Sequence, residues 1–140
     1  MRILFICKNN QFRSQMAAAL YNILTNTNDA SSAGTYVGAP DALENVPIEK
    51  FFQSADFFEL MEHHGMYIRD MRTKKLLPEM LSKADIAVSM AEEPFVPEFL
   101  RTAKNVIWWT VENPPVATKE VSQKTFDQIL PLIQNLIVSL

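Results

Sequence analysis

The stretch Arg2-Ile3-Leu4-Phe5-Ile6-Cys7-Lys8-Asn9-Asn10-Gln11-Phe12-Arg13-Ser14-Gln15-Met16-Ala17 decides how the rest of the chain is read. Arg2 to Ile6 forms a compact apolar run, the pattern of a strand buried on both faces of a parallel sheet. From Arg13 to Leu24, Met16, Ala17, Leu20 and Leu24 recur near helical spacing, and Ala17-Ala18-Ala19 favour a helix. The polar segment from Cys7 to Phe12 is therefore a strand-to-helix loop, with five residues between Cys7 and Arg13. Such a loop turns successive backbone N–H groups inward at the positive end of the helix dipole, which suits a tetrahedral oxyanion. Arg13 supplies a planar fork able to bind two oxygens of a phosphate-like group. The same field stabilises the thiolate of Cys7 as a nucleophile, and the Ser14 hydroxyl can donate to the sulfur when it leaves. The competing reading of Cys7 is an inert cysteine closing a core strand.

Beyond this stretch, turn residues and apolar runs place further strands at Ala30 to Ala33, Asp85 to Met90 and Asn105 to Thr110. Helices are expected at Ile48 to His64 (closed by Gly65 as C-cap), Leu77 to Lys83, Pro94 to Leu100 and Thr125 to Val138. Pro131 should kink the last of these or mark a late start. Alternating strands and helices imply a doubly wound parallel α/β sheet, whose sites lie at the carboxyl ends of strands.

The 140 residues, 48% hydrophobic and 21% charged, fit one globular domain spanning 1–140. A net charge of −3 invites neither nucleic acid nor an anionic membrane surface. The apolar run at the N-terminus is too short for a signal-peptide core and nothing approaches a membrane span, so a cytoplasmic protein is expected. The single cysteine fits a reducing compartment and excludes any mechanism that needs a second thiol in the chain. No cofactor is called for, and neither His63 nor His64 has the company of a metal site.

These residues resemble the low-molecular-weight protein tyrosine phosphatases and their arsenate reductase relatives. The resemblance rests on Leu4-Phe5-Ile6-Cys7, Arg13-Ser14, Met16-Ala17, Ser32-Ala33-Gly34-Thr35, His64-Gly65-Met66, the strand Asp85 to Met90, and a Trp-rich strand running into Asn113-Pro114. It implies a three-layer, four-stranded parallel sheet flanked by helices on both faces, with a phosphate-binding loop after the first strand. It implies Cys7 as nucleophile, Arg13 as phosphate clamp and Ser14 assisting departure of the thiolate. Lys8, Asn9, Asn10, Gln11 and Phe12 complete the substrate-binding loop. Asn10, Ser14, Ser32 and His64 occupy positions whose hydrogen bonds hold the loop's shape in the family, and Asn10 also tolerates a left-handed backbone.

The chain departs from that family at Asn9 (usually Gly), Phe12 (often a second Cys), Gln15 (commonly Pro) and Asn113. The last stands where the family has its general-acid Asp, just before Pro114, and an amide cannot protonate a leaving oxygen. Neighbouring Glu112 is either a substitute acid or an exposed loop carboxylate. Trp108, Trp109, Tyr36 and Phe12 are candidates to line a cleft for a flat ester, one Trp being expected in the core. Arg69, Arg72, Lys74 and Lys75 read as a solvated basic face able to draw in an anion. The implied function is hydrolysis of phosphotyrosine protein or a small aryl phosphate through a phosphocysteine, impaired by Asn113. The alternatives are a weakly catalytic or inactive oxyanion-binding pseudo-phosphatase, and a single-cysteine arsenate reductase fed by an external small thiol.

Overall fold

Alternate side chains of the first strand point to opposite sides of one sheet, and each side has its own core. The computed structural model describes residues 1–140. Strand β1 (Ile3–Cys7) is followed by α1 (Arg13–Thr25), β2 (Ala30–Gly34), a 3₁₀ turn (Ile48–Phe51) and α2 (Asp56–His63). Then come α3 (Pro78–Lys83), β3 (Ile86–Ser89), α4 (Glu98–Arg101), β4 (Val106–Trp108) and α5 (Lys119–Ser139). All four strands are parallel, in the order β2-β1-β3-β4.

Ile3, Phe5 and Cys7 of β1 face a core shared with α1, α2 and α5. Leu4 and Ile6 face the other layer, which contains Leu81 of α3 and Leu100 of α4. Each fully buried large apolar side chain in these layers stabilises the fold by roughly 1.5–3 kcal/mol. The parallel, helix-covered sheet expected from the sequence is the observed one. Because the chain leaves β1 toward β2 and later returns to the far side of β1 as β3, the strand order reverses between β1 and β3. The loops after these two strands thus open onto a common crevice at their carboxyl ends.

Three elements differ from the sequence reading. The helix expected from Ile48 to His64 is broken: Phe52 is extended (φ −112°, ψ 136°), and α2 begins after it. The polar pair Gln53-Ser54 explains the break, since Ser54 Oγ accepts the Asp56 N–H at 3.3 Å and starts the new helix. Gly65 ends α2 as expected, in the left-handed region at φ 87°, with its N–H on the Glu62 carbonyl and that of Met66 on Met61. Only four residues, Glu98–Arg101, form α4, because the chain through Pro97 is extended. Finally, α5 starts at Lys119 rather than Thr125, capped by Thr118 Oγ1, which accepts the Val121 N–H at 3.1 Å. Its polar opening turns carry too few apolar residues to show the period. Pro131 lies inside α5 on its exposed side, so the carbonyl left without a partner does not have to be buried in the core.

Gly34, at the end of β2, is where sheet and loop touch most closely. A Cβ there would lie 2.6 Å from Val37 Cγ2, 2.8 Å from the Lys8 carbonyl oxygen and 3.0 Å from Asn10 Cβ. The Gly34→Ala variant is expected to lose about 1–3 kcal/mol of stability through this overpacking. A urea unfolding midpoint unchanged from wild type would contradict that crowding.

Candidate active site

Asn10 organises the loop after β1. It is fully buried (0% exposed) and its backbone is left-handed at φ 55°, which lets the chain curl without a glycine at position 9. Its N–H points at Cys7 Sγ, 3.3 Å away. Its amide Nδ2 donates to Ser14 Oγ at 2.8 Å, and its Oδ1 accepts the Lys74 N–H at 2.9 Å. The Gln15 amide, buried in the first turn of α1, donates to both the carbonyl and the Oδ1 of Asn10 at 3.1 and 3.2 Å. With its oxygen already accepting from Asn10, the Ser14 hydroxyl is left to donate to Cys7 Sγ at 3.0 Å. The sulfur therefore sits under two polar contacts, the Ser14 hydroxyl and the Asn10 N–H.

The segment after β2 backs the loop with main-chain bonds: Thr35 N–H to the Cys7 carbonyl and Tyr36 N–H to the Lys8 carbonyl, both 2.9 Å. Of the loop-supporting residues expected from the sequence, Asn10 and Ser14 are joined in this way. Ser32 and His64 are not. Ser32 is buried in β2 opposite Phe5, with no hydrogen bond to the loop. His64 is exposed at the end of α2 and stacks on Phe126 of α5, ring centroids 4.5 Å apart. Their places are taken by Gln15 and the Lys74 main chain. A glutamine just inside α1, where an apolar neighbour would pack as well, was the available signal for the first of these.

Arg13 is 1% exposed, and one edge of its guanidinium is fully engaged. Nη1 donates to the Met90 carbonyl at 2.7 Å, the Val111 carbonyl at 2.8 Å and Glu92 Oε2 at 2.9 Å, while Nη2 donates to Glu92 Oε1 at 3.2 Å. The Nε–H and the second Nη2 hydrogen carry no protein partner and lie on the same side of the fork. That free edge is the pair of donors able to grip two oxygens of an anion. Glu92, just past β3 at the strand-order reversal, is a site residue the sequence reading missed. A carboxylate following a buried strand at such a position was its signal.

Cys7, Asn9, Gln11, Phe12 and Arg13 line a cleft of about 600 Å³, closed on its other sides by Phe51 to Ser54, Asp56 and the segment Asn113 to Thr118. Asn113 thus stands in the cleft with Cys7, whereas Glu112 faces a neighbouring depression with Glu92, Lys124 and Gln128. Two loop side chains expected to contact substrate turn away. Asn10 is buried inward, and the Lys8 ammonium sits over Phe95 (3.9 Å to the ring centroid) and Tyr36 (5.1 Å).

The aromatic wall also differs from expectation. Phe12 lines the cleft, but Tyr36 packs on Phe95, Trp109 on Phe5 in the core, and Trp108 is 48% exposed on the edge strand β4. Phe51 and Phe52 supply the other rings, brought there by the break before α2. The basic cluster is divided: Arg72 and Lys75 are exposed and make no ion pair, whereas Arg69 pairs with Glu62 and Glu49 and burial pushes the Lys74 ammonium below its usual pKa. No group of His, Cys, Asp and Glu is placed to hold a metal ion, and no helix is long and apolar enough to cross a membrane.

The whole chain matches one known family. Residues 2–140 fit the low molecular weight phosphotyrosine protein phosphatases, and the protein belongs to that family. Among solved structures, the low molecular weight protein tyrosine phosphatase from T. tengcongensis is 29% identical with TM-score 0.79, the match covering 100% of this chain and 99% of that one. Wzb of Vibrio vulnificus, solved in complex with benzylphosphonate, is 18% identical with TM-score 0.80, covering 99% and 98%. A thioredoxin-dependent arsenate reductase from Corynebacterium glutamicum has the same fold at 23% identity and TM-score 0.66, covering 99% of this chain but 60% of its own. No curated protein sequence matches significantly.

The Arg13–Glu92 pair should be worth more than its half-exposed partner suggests, because Arg13 is buried while the Glu92 side chain is 44% exposed. Glu92→Gln is expected to cost about 1–2 kcal/mol, read from the urea midpoint. The neighbouring change Glu93→Gln, which touches only the exposed pair with Arg101, should stay within about 0.5 kcal/mol. Equal effects from the two would contradict the role given to Glu92.

Proposed function

We propose that the protein hydrolyses phosphate monoesters of aryl leaving groups through a phosphocysteine. The observation that carries this reading is Cys7 Sγ held under the Ser14 hydroxyl and the Asn10 N–H, in the wall of a cleft that Arg13 also lines. The thiolate of Cys7 attacks phosphorus as the bond from phosphorus to the ester oxygen breaks, and the electron pair leaves with the aryl oxide. Arg13 holds two of the non-bridging oxygens, and the loop N–H groups stabilise the charge on the transferring group. Water then attacks the phosphocysteine, and the Ser14 hydroxyl stabilises the departing thiolate. No step requires a metal or an organic cofactor.

Asn113 sets the limit on the first step. It stands in the cleft where a proton donor would serve but has no proton to give, and Glu112 faces elsewhere. The leaving group must therefore depart largely unprotonated, which favours aryl over alkyl esters. A reductase route through protein thiols has only Cys7 to work with. The pseudo-phosphatase alternative differs in outcome and not in site.

Turnover of p-nitrophenyl phosphate, abolished by Cys7→Ser, is the first expected result. Asn113→Asp should raise kcat by up to roughly 10²–10⁴-fold for esters with poor leaving groups, and much less for p-nitrophenyl phosphate. Glu112→Gln should leave the pH–rate profile as it is. No turnover above the Cys7→Ser background, in wild type and Asn113→Asp alike, would rule out the hydrolase reading.

A further inference from the structure

Two charged side chains, Arg13 and Asp56, are found in the wall of the Cys7 cleft. They are in opposite electrostatic situations. The Arg13 guanidinium already has Glu92 as counter-ion at 2.9 Å. The Asp56 carboxylate, half-buried in the first turn of α2, makes no ion pair and accepts no hydrogen bond from any side chain or N–H of the protein. Apart from Arg13 and Asp56, no acidic or basic side chain lines the cleft. A carboxylate in the wall of the cleft that binds a phosphoryl dianion is repulsive to it unless a cation is bound with the dianion. The cleft, at about 600 Å³, has room for more than a phosphoryl group and one ring.

We infer that the cleft selects phosphoryl compounds whose organic part carries a positive charge, with Asp56 as the counter-ion to that charge. The inference rests on the reading of the Cys7 loop as an oxyanion site and adds the class of compound that fits it. The phosphoryl group takes the loop and the free edge of Arg13, the ring or chain beyond it lies along Phe12 and Phe52, and the cation meets Asp56. An acidic residue at a helix start is common because it suits the dipole. What sets Asp56 apart is that it lies in the wall of this cleft with no protein cation beside it. A proton-donating role would place Asp56 in the reaction itself, and the two roles separate experimentally.

The test is binding of two unhydrolysable ligands, benzylphosphonate and 4-(aminomethyl)benzylphosphonate, by isothermal titration calorimetry at low and high sodium chloride. Wild type should bind the amine-bearing ligand roughly three- to tenfold tighter, with the preference shrinking at high salt. In Asp56→Asn, and equally in Asp56→Ser, the two affinities should converge while that for benzylphosphonate holds or improves. Equal affinities in wild type, or a preference that survives both substitutions, would overturn the inference. So would a pH–rate profile that loses its basic limb in Asp56→Asn while the binding preference is untouched, since that marks a general acid. Failure of wild type to bind either phosphonate would overturn the oxyanion reading along with it. Because the readout is binding, absence of turnover does not decide this test.

Discussion

A buried asparagine in a left-handed conformation is the constraint on which the site depends. Burying an amide costs on the order of 1–3 kcal/mol unless its polar atoms are satisfied, and Asn10 is satisfied on every side. Each of its bonds fixes a different part of the loop. One reaches Ser14 and so turns the serine hydroxyl toward Cys7; another ties the loop to the chain at Lys74; the Gln15 amide clips its main chain. Gly34 follows from the same arrangement, because only a residue without a side chain lets β2 come so close to Lys8 and Asn10. The loop is thus held from behind by polar contacts, leaving its front to the cleft.

The sheet topology supplies the second half of the site. Reversal of strand order between β1 and β3 brings the end of β3 against the start of α1, and the Met90 carbonyl and Glu92 meet Arg13 there. Val111, after β4, adds a third acceptor. A long cationic side chain with almost no solvent contact is normally a liability; here Nη1 and one hydrogen of Nη2 meet protein acceptors, and Nε–H and the other Nη2 hydrogen have none. Binding an anion then requires little side-chain ordering, which lowers the entropic cost of recognition. The charge of Arg13 is nevertheless partly cancelled by Glu92. Of the acidic and basic side chains lining the cleft, Asp56 is the one without an ion-pair partner.

Much of this was legible in the sequence because the first strand, loop and helix are contiguous and their patterns strong. The apolar run before Cys7, the five-residue spacing to Arg13 and the alanine-rich helix after it placed the first strand, the loop that follows it and the parallel sheet correctly. What the sequence did not show were contacts across long separations. Glu92 is 79 residues from Arg13 and Lys74 is 64 from Asn10, and no local period reports such pairs. Analogy put Ser32 and His64 into the loop's support, but the register of β2 and the stacking of His64 on Phe126 place them elsewhere. The break at Phe52 was masked by a run of phenylalanines that imitates one continuous helix, yet that break carries Phe52 and Asp56 to the cleft. Glu112 and Asn113 are adjacent in the chain, and only the fold separates the one that faces Cys7 from the one that does not.

The central claim, that Cys7 is the atom on which phosphoryl transfer occurs, has a direct test in trapping the intermediate. Wild-type protein mixed with an aryl phosphate, quenched in acid within milliseconds and measured by intact mass, should gain one phosphoryl group. Peptide mapping should place it on Cys7, with none acquired by the Cys7→Ala variant. Release of the aryl product by wild type with no such adduct at any quench time, or an adduct mapping to another residue, would contradict the account.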